Sequence, residues 1–181
     1  MRIIAGKRRG TRLEAPPGQD VRPTSDKLRG AVMSMLGGRL DGLRVLDLCA
    51  GTGAVALESL SREAALAVAV ENDPRALTAL RLNAKHTRLE ENLTVLTGDV
   101  VQVLQRLGQQ KAQFDVVYFD PPYDSDLYAP VLQQLPKVLA EDAQVFVESR
   151  HGLAPELLEG WTQVTRRRYG GGWLDKLQRL K

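Results

Sequence analysis

The clearest chemistry in this chain lies in four residues at the end of an apolar run. Asp120-Pro121-Pro122-Tyr123 follows Phe114-Asp115-Val116-Val117-Tyr118-Phe119, a β-branched and aromatic stretch of the kind that forms a buried parallel strand. Pro121 biases Asp120 toward extended backbone, and Pro122 does the same to Pro121, so the loop is stiff. A carboxylate, a proline carbonyl and a flat ring are then held together at a strand's carboxyl end, where ligands of open α/β sheets sit. That set suits methylation of a planar amino group. The amine's lone pair is delocalised into its ring; two acceptors gripping the N–H bonds turn it outward while Tyr123 stacks on the base. The plainer alternative is a proline turn with a solvated aspartate, and the tetrapeptide alone does not decide between them.

Three further acids stand at comparable places. Asp47-Leu48-Cys49-Ala50-Gly51-Thr52-Gly53 follows another strand candidate, and its glycines let the backbone turn tightly and approach a ligand. Glu71 ends the next strand, twenty residues beyond Gly51, where an acid can accept from ribose hydroxyls. Gly98-Asp99-Val100 ends the third, where an acid and the following N–H can read an adenine edge; a helix cap is the other reading of Asp99. Nicotinamide enzymes share the glycines and the ribose acid. Asp47 points elsewhere, because it would repel a pyrophosphate and attract an ammonium or sulfonium.

The elements that position these residues alternate. Strands are expected at Arg44–Leu48, Leu66–Glu71, Leu93–Gly98, Phe114–Phe119 and Gln144–Ser149, and helices at Ala54–Ser61, Pro74–Thr87, Val100–Leu107 and Tyr128–Leu139. This pattern predicts an α/β fold, a Rossmann-like, mostly parallel doubly wound sheet. Trp161–Arg168 and Trp173–Leu180 around Gly170-Gly171-Gly172 predict a closing antiparallel hairpin. Before the alternating part, Met1–Ala5 and Thr11–Ala15 read as short strands flanking a basic tip. Arg22-Pro23-Thr24-Ser25-Asp26 opens a helix to about Leu36. The expected division is 1–40, a basic hairpin and helix packed on the body, and 41–181, the main domain.

Charge is distributed unevenly. Residues 1–30 hold eight Lys/Arg against three acids and residues 161–181 hold six against one, so residues 31–160 carry −7 within a net +3. Basic arms around an acidic body suit a polyanionic partner at the ends and a cationic ligand at the centre. One cysteine excludes an internal disulfide, no metal-ligand spacing appears, and the basic start and short apolar runs predict a cytoplasmic protein. Trp161 and Trp173 are expected to pack on the sheet.

Asp47…Gly51-x-Gly53, Glu71, Asp99 and Asp-Pro-Pro-Tyr resemble class I S-adenosylmethionine-dependent methyltransferases acting on exocyclic amines. Three flanking stretches resemble the bacterial small-subunit (16S) ribosomal RNA guanine-N2 methyltransferase family. They are Arg2-Ile3-Ile4-Ala5-Gly6-Lys7-x-Arg9-Gly10-x-Arg12-Leu13, Arg22-Pro23-Thr24-x-Asp26-x-x-Arg29 and Ala50-Gly51-Thr52-Gly53-Ala54-x-x-Leu57-Glu58. The likeness runs from residue 2 to about 150; Gly171-Gly172-Trp173-Leu174-Asp175 departs from the family's usual acid-threonine continuation.

The resemblance implies methyl transfer to guanine N2, with Asp120, Pro121 and Tyr123 catalytic. It implies S-adenosylmethionine held by Asp47, Ala50, Gly51, Gly53, Glu71, Asn72, Asp99 and Val100, and no metal. RNA would meet Lys7, Arg8, Arg9, Arg12, Arg22, Arg29, Arg166 and Arg168, on a monomer acting on an assembled or nearly assembled small subunit. The alternatives are an N6-adenine nucleic-acid methyltransferase, an idle RNA-binding assembly factor and a nicotinamide oxidoreductase.

Overall fold

Residues 45–48, 67–70 and 116–119 are buried without interruption, which only the centre of a sheet covered on both faces allows. The computed structural model describes residues 1–16 and 26–181; Arg22 and the expected helix cap at Thr24-Ser25 lie outside them. In chain order the elements are α1 (Asp26–Met35), β1 (Arg44–Leu48), α2 (Ala54–Ser61), β2 (Leu66–Glu71), α3 (Pro74–Thr87) and β3 (Leu93–Thr97). They continue with α4 (Val100–Gln109), β4 (Phe114–Phe119), α5 (Tyr128–Gln134), β5 (Leu139–Ser149), β6 (Trp161–Tyr169) and β7 (Gly172–Arg179).

One seven-stranded sheet runs β3-β2-β1-β4-β5-β7-β6. The strands β1 to β5 are parallel to one another, and β7 is antiparallel to both β5 and β6. Strand order reverses between β1 and β4, and a crevice opens at that switch point. Asp47 on β1 is level with Tyr118 on β4, two residues before Asp120, so the fold brings the first and last of the sequence's acids together. One face of the sheet is covered by α1, α2 and α3 and the other by α4 and α5.

In the alternating part, two elements depart from expectation by more than two residues. Helix α5 stops at Gln134 and becomes a 3₁₀ turn over Leu135–Val138, because Pro136 lacks an N–H and cannot continue an α-helix. Strand β5 starts at Leu139, and the register slips between its pairings at Phe114 and Val116 of β4.

The two expected amino-terminal strands reduce to a single bridge, Arg2 with Arg12. Ile3 N–H to the Thr11 carbonyl, Leu13 N–H to the Met1 carbonyl and Gly10 N–H to the Ile3 carbonyl still cross between the arms, but the next donors of the first arm turn to α2. The N–H groups of Ile4 and Ala5 donate to the Glu58 carboxylate at 2.7 and 3.1 Å, and Lys7 N–H donates to the Ser61 carbonyl at 2.8 Å. Gly6 has φ +83°, and a Cβ there would lie 1.8 Å from the Ser61 carbonyl oxygen, so the approach to α2 requires glycine. Glu58 also pairs with Arg62 at 2.7 Å and with Arg29 at 3.5 Å, and Arg29 donates to the Arg2 carbonyl. Arg29 and Glu58 are both fully buried.

Glu58→Ala should therefore leave the buried Arg29 guanidinium with Asp26 as its one acidic partner among the described residues, free Arg62 and loosen the hairpin. Breaking such a pair costs about 3–5 kcal/mol. Urea denaturation should show a loss of that size that persists in high salt; a loss under about 1 kcal/mol would mean that the pair is not structural.

Candidate active site

At the carboxyl edge of the sheet the crevice encloses about 880 Å³ and reaches from the ends of β2 and β3 to the β6–β7 turn. Every cofactor residue expected from sequence lines it except Gly53, which sits just behind. Gly51 (φ +55°) and Gly53 (φ +77°) let the β1–α2 loop turn, and a Cβ on Gly53 would lie 2.9 Å from Leu80 of α3. Asn83 closes the loop from α3. Its amide donates to the Thr52 and Glu14 carbonyls at 3.0 Å each and accepts from Glu14 N–H at 2.7 Å, joining the amino-terminal segment to the glycine loop.

The acids are already engaged with the protein. Glu71 accepts from Gly51 N–H at 2.7 Å through Oε2, and from the Asn72 and Asp73 N–H groups at 2.8 and 2.9 Å through Oε1. It thereby fixes the glycine loop against the β2–α3 turn. Asp99 caps α4 by accepting from Gln102 N–H at 2.9 Å, the helix-cap reading, and it also lines the cavity. Asp73 caps α3, accepting from the N–H groups of Arg75 and Ala76.

Asp47 is buried, and its Oδ2 accepts from Ala56 N–H at 3.0 Å in the first turn of α2. Burial pushes its carboxyl up to about 8, helped by the charges of Asp120 and Glu71 and opposed by the Ala56 N–H. The same surroundings push the Cys49 thiol up to about 12, burial first and then the carboxylates, so Cys49 is an inert lining residue.

Asp120, Pro121, Pro122 and Tyr123 line the crevice beside Asp47. Arg150 lies 5.8 Å from the centre of the Tyr123 ring and pairs with Asp124 at 3.1 Å, which steadies the loop from outside. A Cβ on Gly172 would come 2.4 Å from the Tyr123 hydroxyl, so the glycine turn makes room for the ring. The turn that departs from the family pattern is held by Asp175, fully buried. Asp175 accepts from Leu153 N–H at 3.0 Å, Gln163 Nε2 at 2.6 Å and Arg166 Nε at 2.7 Å.

The expected RNA residues divide into two groups. Lys7, Arg9, Arg12 and Arg168 are at least partly exposed, and Arg8 is half-buried with its guanidinium reaching the Arg88 carbonyl. Arg29 is a correction: it lies inside the protein between Glu58, Asp26 and the Arg2 carbonyl, where no phosphate reaches it. Arg166 is occupied by Asp175 and the Leu153 carbonyl, so its first role is to brace the hairpin. Trp161 packs in the core, and Trp173 is half-buried on β7.

Sequence reasoning passed over Tyr118, Lys27, Tyr169 and Glu148, all of which line the crevice. Glu148 carried a legible signal, an acid at the end of the apolar run 145–147, like the other strand-end acids. Tyr118 and Lys27 carried none.

Asp47 supplies a pH-dependent test. Folded, it holds its proton to about 8; unfolded, it releases it near 3.8. The native state thus binds the extra proton, and stability falls as pH rises between these values. Asp47→Asn keeps an oxygen for Ala56 N–H but cannot ionise. Denaturation midpoints should favour the variant increasingly from about pH 5 to pH 8; parallel curves would show that Asp47 is not buried as described.

The model for the family conserved hypothetical protein 95 matches residues 1–177. The ribosomal RNA small subunit methyltransferase D of Escherichia coli is 32% identical over 166 residues, covering 90% of this chain and 81% of that protein. The solved structure of a hypothetical protein from Thermus thermophilus superposes with a TM-score of 0.82 at 30% identity, covering 97% of this chain and 98% of that one. A ribosomal protein L11 methylase from Lactobacillus delbrueckii shares the fold, with a TM-score of 0.68 at 19% identity over 84% of this chain and 79% of its own. The chain belongs to the conserved hypothetical protein 95 family, alongside the small-subunit ribosomal RNA methyltransferases D with which its sequence aligns.

Proposed function

We propose that the protein transfers a methyl group from S-adenosylmethionine to the exocyclic N2 of one guanine in small-subunit ribosomal RNA. The observation that carries this reading is the single crevice in which the glycine loop and strand-end acids adjoin the Asp120–Tyr123 loop. A cofactor and a base can share it. When bound, S-adenosylmethionine supplies a methyl on a positively charged sulfur that leaves as a neutral thioether.

The chain's own residues would do the rest. Asp99 and Val100 meet the adenine, and Glu71 accepts from the ribose through Oε2, which takes one protein hydrogen bond. Asp47 and the glycine loop face the cationic end. Asp120 and the Pro121 carbonyl accept hydrogen bonds from the two N–H groups of the amine, and the Asp120 carboxylate takes the proton it sheds, while Tyr123 stacks on a base flipped from the RNA. Rate comes from positioning and electrostatics rather than a strong base. The cations Lys7, Arg9, Arg12 and Arg168 give an RNA footprint on a monomeric, cytoplasmic enzyme acting on an assembled or nearly assembled subunit.

Small subunits from a strain lacking the enzyme, incubated with the protein and S-adenosylmethionine, should yield N2-methylguanosine on nucleoside mass spectrometry. N6-methyladenosine, or no product, would refute the reading. In single turnover, Asp120→Asn should slow transfer roughly 10²–10³-fold, since it turns a donor toward the amine. Cofactor affinity should hold, and wild-type speed would remove Asp120 from the mechanism. Neutralising Lys7, Arg9 and Arg12 together should flatten the log–log salt dependence of RNA binding by about 0.7–0.9 per lost phosphate contact. An unaltered slope would mean that the hairpin tip faces only solvent.

A further inference from the structure

Glu148 is a buried carboxylate with no part in the mechanism above. It is 6% exposed, yet it lines the crevice. Its place follows from the strand register. Phe119 at the end of β4 is level with Val147 of β5, so Asp120, the first residue past β4, and Glu148 on β5 are the next residues along two neighbouring parallel strands. Neighbouring strands stand about 4.8 Å apart, and both carboxylates line the one crevice and act on the Tyr118 hydroxyl.

Glu148 is also held in place. The Tyr118 hydroxyl donates to its Oε1, and the Tyr128 hydroxyl donates to its backbone carbonyl at 3.1 Å. Burial, then the charge of Glu148, raises the Tyr118 pKa well above the ordinary phenol value, so Tyr118 stays a neutral donor. Each carboxylate oxygen has two lone pairs, so an oxygen that accepts from Tyr118 can accept from a ligand as well. The β6–β7 turn at Gly170 and Gly171 bounds the crevice at this end, opposite the glycine loop. The carboxylate therefore belongs to the part of the crevice that would receive the base.

Two bases present different edges to such a group. Guanine carries an N1–H donor next to its N2 amine. Adenine carries a bare N1 lone pair next to its N6 amine. With the amine gripped at Asp120, a second carboxylate one strand away meets N1. It accepts a hydrogen bond from guanine and repels the lone pair of adenine.

We propose that Glu148 is the residue that selects guanine, its carboxylate accepting N1–H of the flipped base while Asp120 holds the N2 amine. This rests on the guanine-N2 reading and names the group that enforces it. Tyr118 is a positioning residue that fixes the orientation of the carboxylate.

The test pairs the unaltered enzyme with an altered base. Small subunits are reconstituted with 2-aminopurine in place of the modified guanine; it keeps the 2-amino group but offers a lone pair at N1. Wild-type enzyme should methylate the guanine subunits about 100-fold faster or more. Glu148→Gln should lower kcat/KM on guanine about 10–100-fold, the scale of one charge-assisted hydrogen bond. It should also shrink the preference over 2-aminopurine, because the new amide can donate to N1. Its cofactor affinity, measured by titration, should stay at the wild-type value.

Equal wild-type rates on the two subunits would overturn the proposal, and that comparison decides even if the variant fails to fold. A folded Glu148→Gln enzyme with its preference intact would overturn it too. N6-methyladenosine from unaltered enzyme on natural subunits would instead sink the guanine reading itself.

Discussion

The arrangement depends on one electrostatic constraint: several carboxylates share a partly dehydrated edge of one sheet. Asp47, Glu71, Asp99, Asp120 and Glu148 all line the same crevice. Burial in such a place raises a carboxyl's proton affinity and neighbouring like charges add to it, as at Asp47. The protein answers with backbone donors, Ala56 N–H for Asp47, three N–H groups for Glu71 and Gln102 N–H for Asp99. Those hydrogen bonds also fix the glycine loop and the starts of α2 and α4. The same acids thus organise the scaffold and set up a site that favours a cation.

The amino-terminal segment is tied to this edge by a second buried network. Glu58 on α2 receives the backbone of Ile4 and Ala5 and the guanidinium groups of Arg29 and Arg62. Asn83 on α3 joins Glu14 to the Thr52 carbonyl in the glycine loop. An exposed basic tip is in this way anchored to the helix that begins at the glycine loop. Met1, Pro16, Lys27 and Leu28 reach the crevice itself, so the segment forms part of its wall.

Much of this was legible in the sequence because buried parallel strands leave apolar runs with a polar residue at each end. The spans of β1, β2, β4, α2 and α3 match their expected bounds for that reason. Asp120, Asp47 and Glu71 were legible through their position after such runs. Arg29 was not: it sits in a basic stretch, and only the fold brings it to Glu58, twenty-nine residues later. The shortness of the amino-terminal pairing was hidden for the same reason, since the distant Glu58 carboxylate takes the Ile4 and Ala5 N–H groups. Tyr118 is spelled like any core aromatic, and its hydroxyl acquires meaning only from Glu148 on the neighbouring strand.

The most direct test of the central claim is proton release on cofactor binding. Calorimetric titration with S-adenosylmethionine in buffers of different ionisation enthalpy counts the protons exchanged. A cation entering beside Asp47, protonated up to about pH 8, should expel close to one proton at neutral pH, and the number should fall toward zero as pH rises past that value. No proton release at neutral pH, or tighter binding of NAD than of S-adenosylmethionine, would contradict the account.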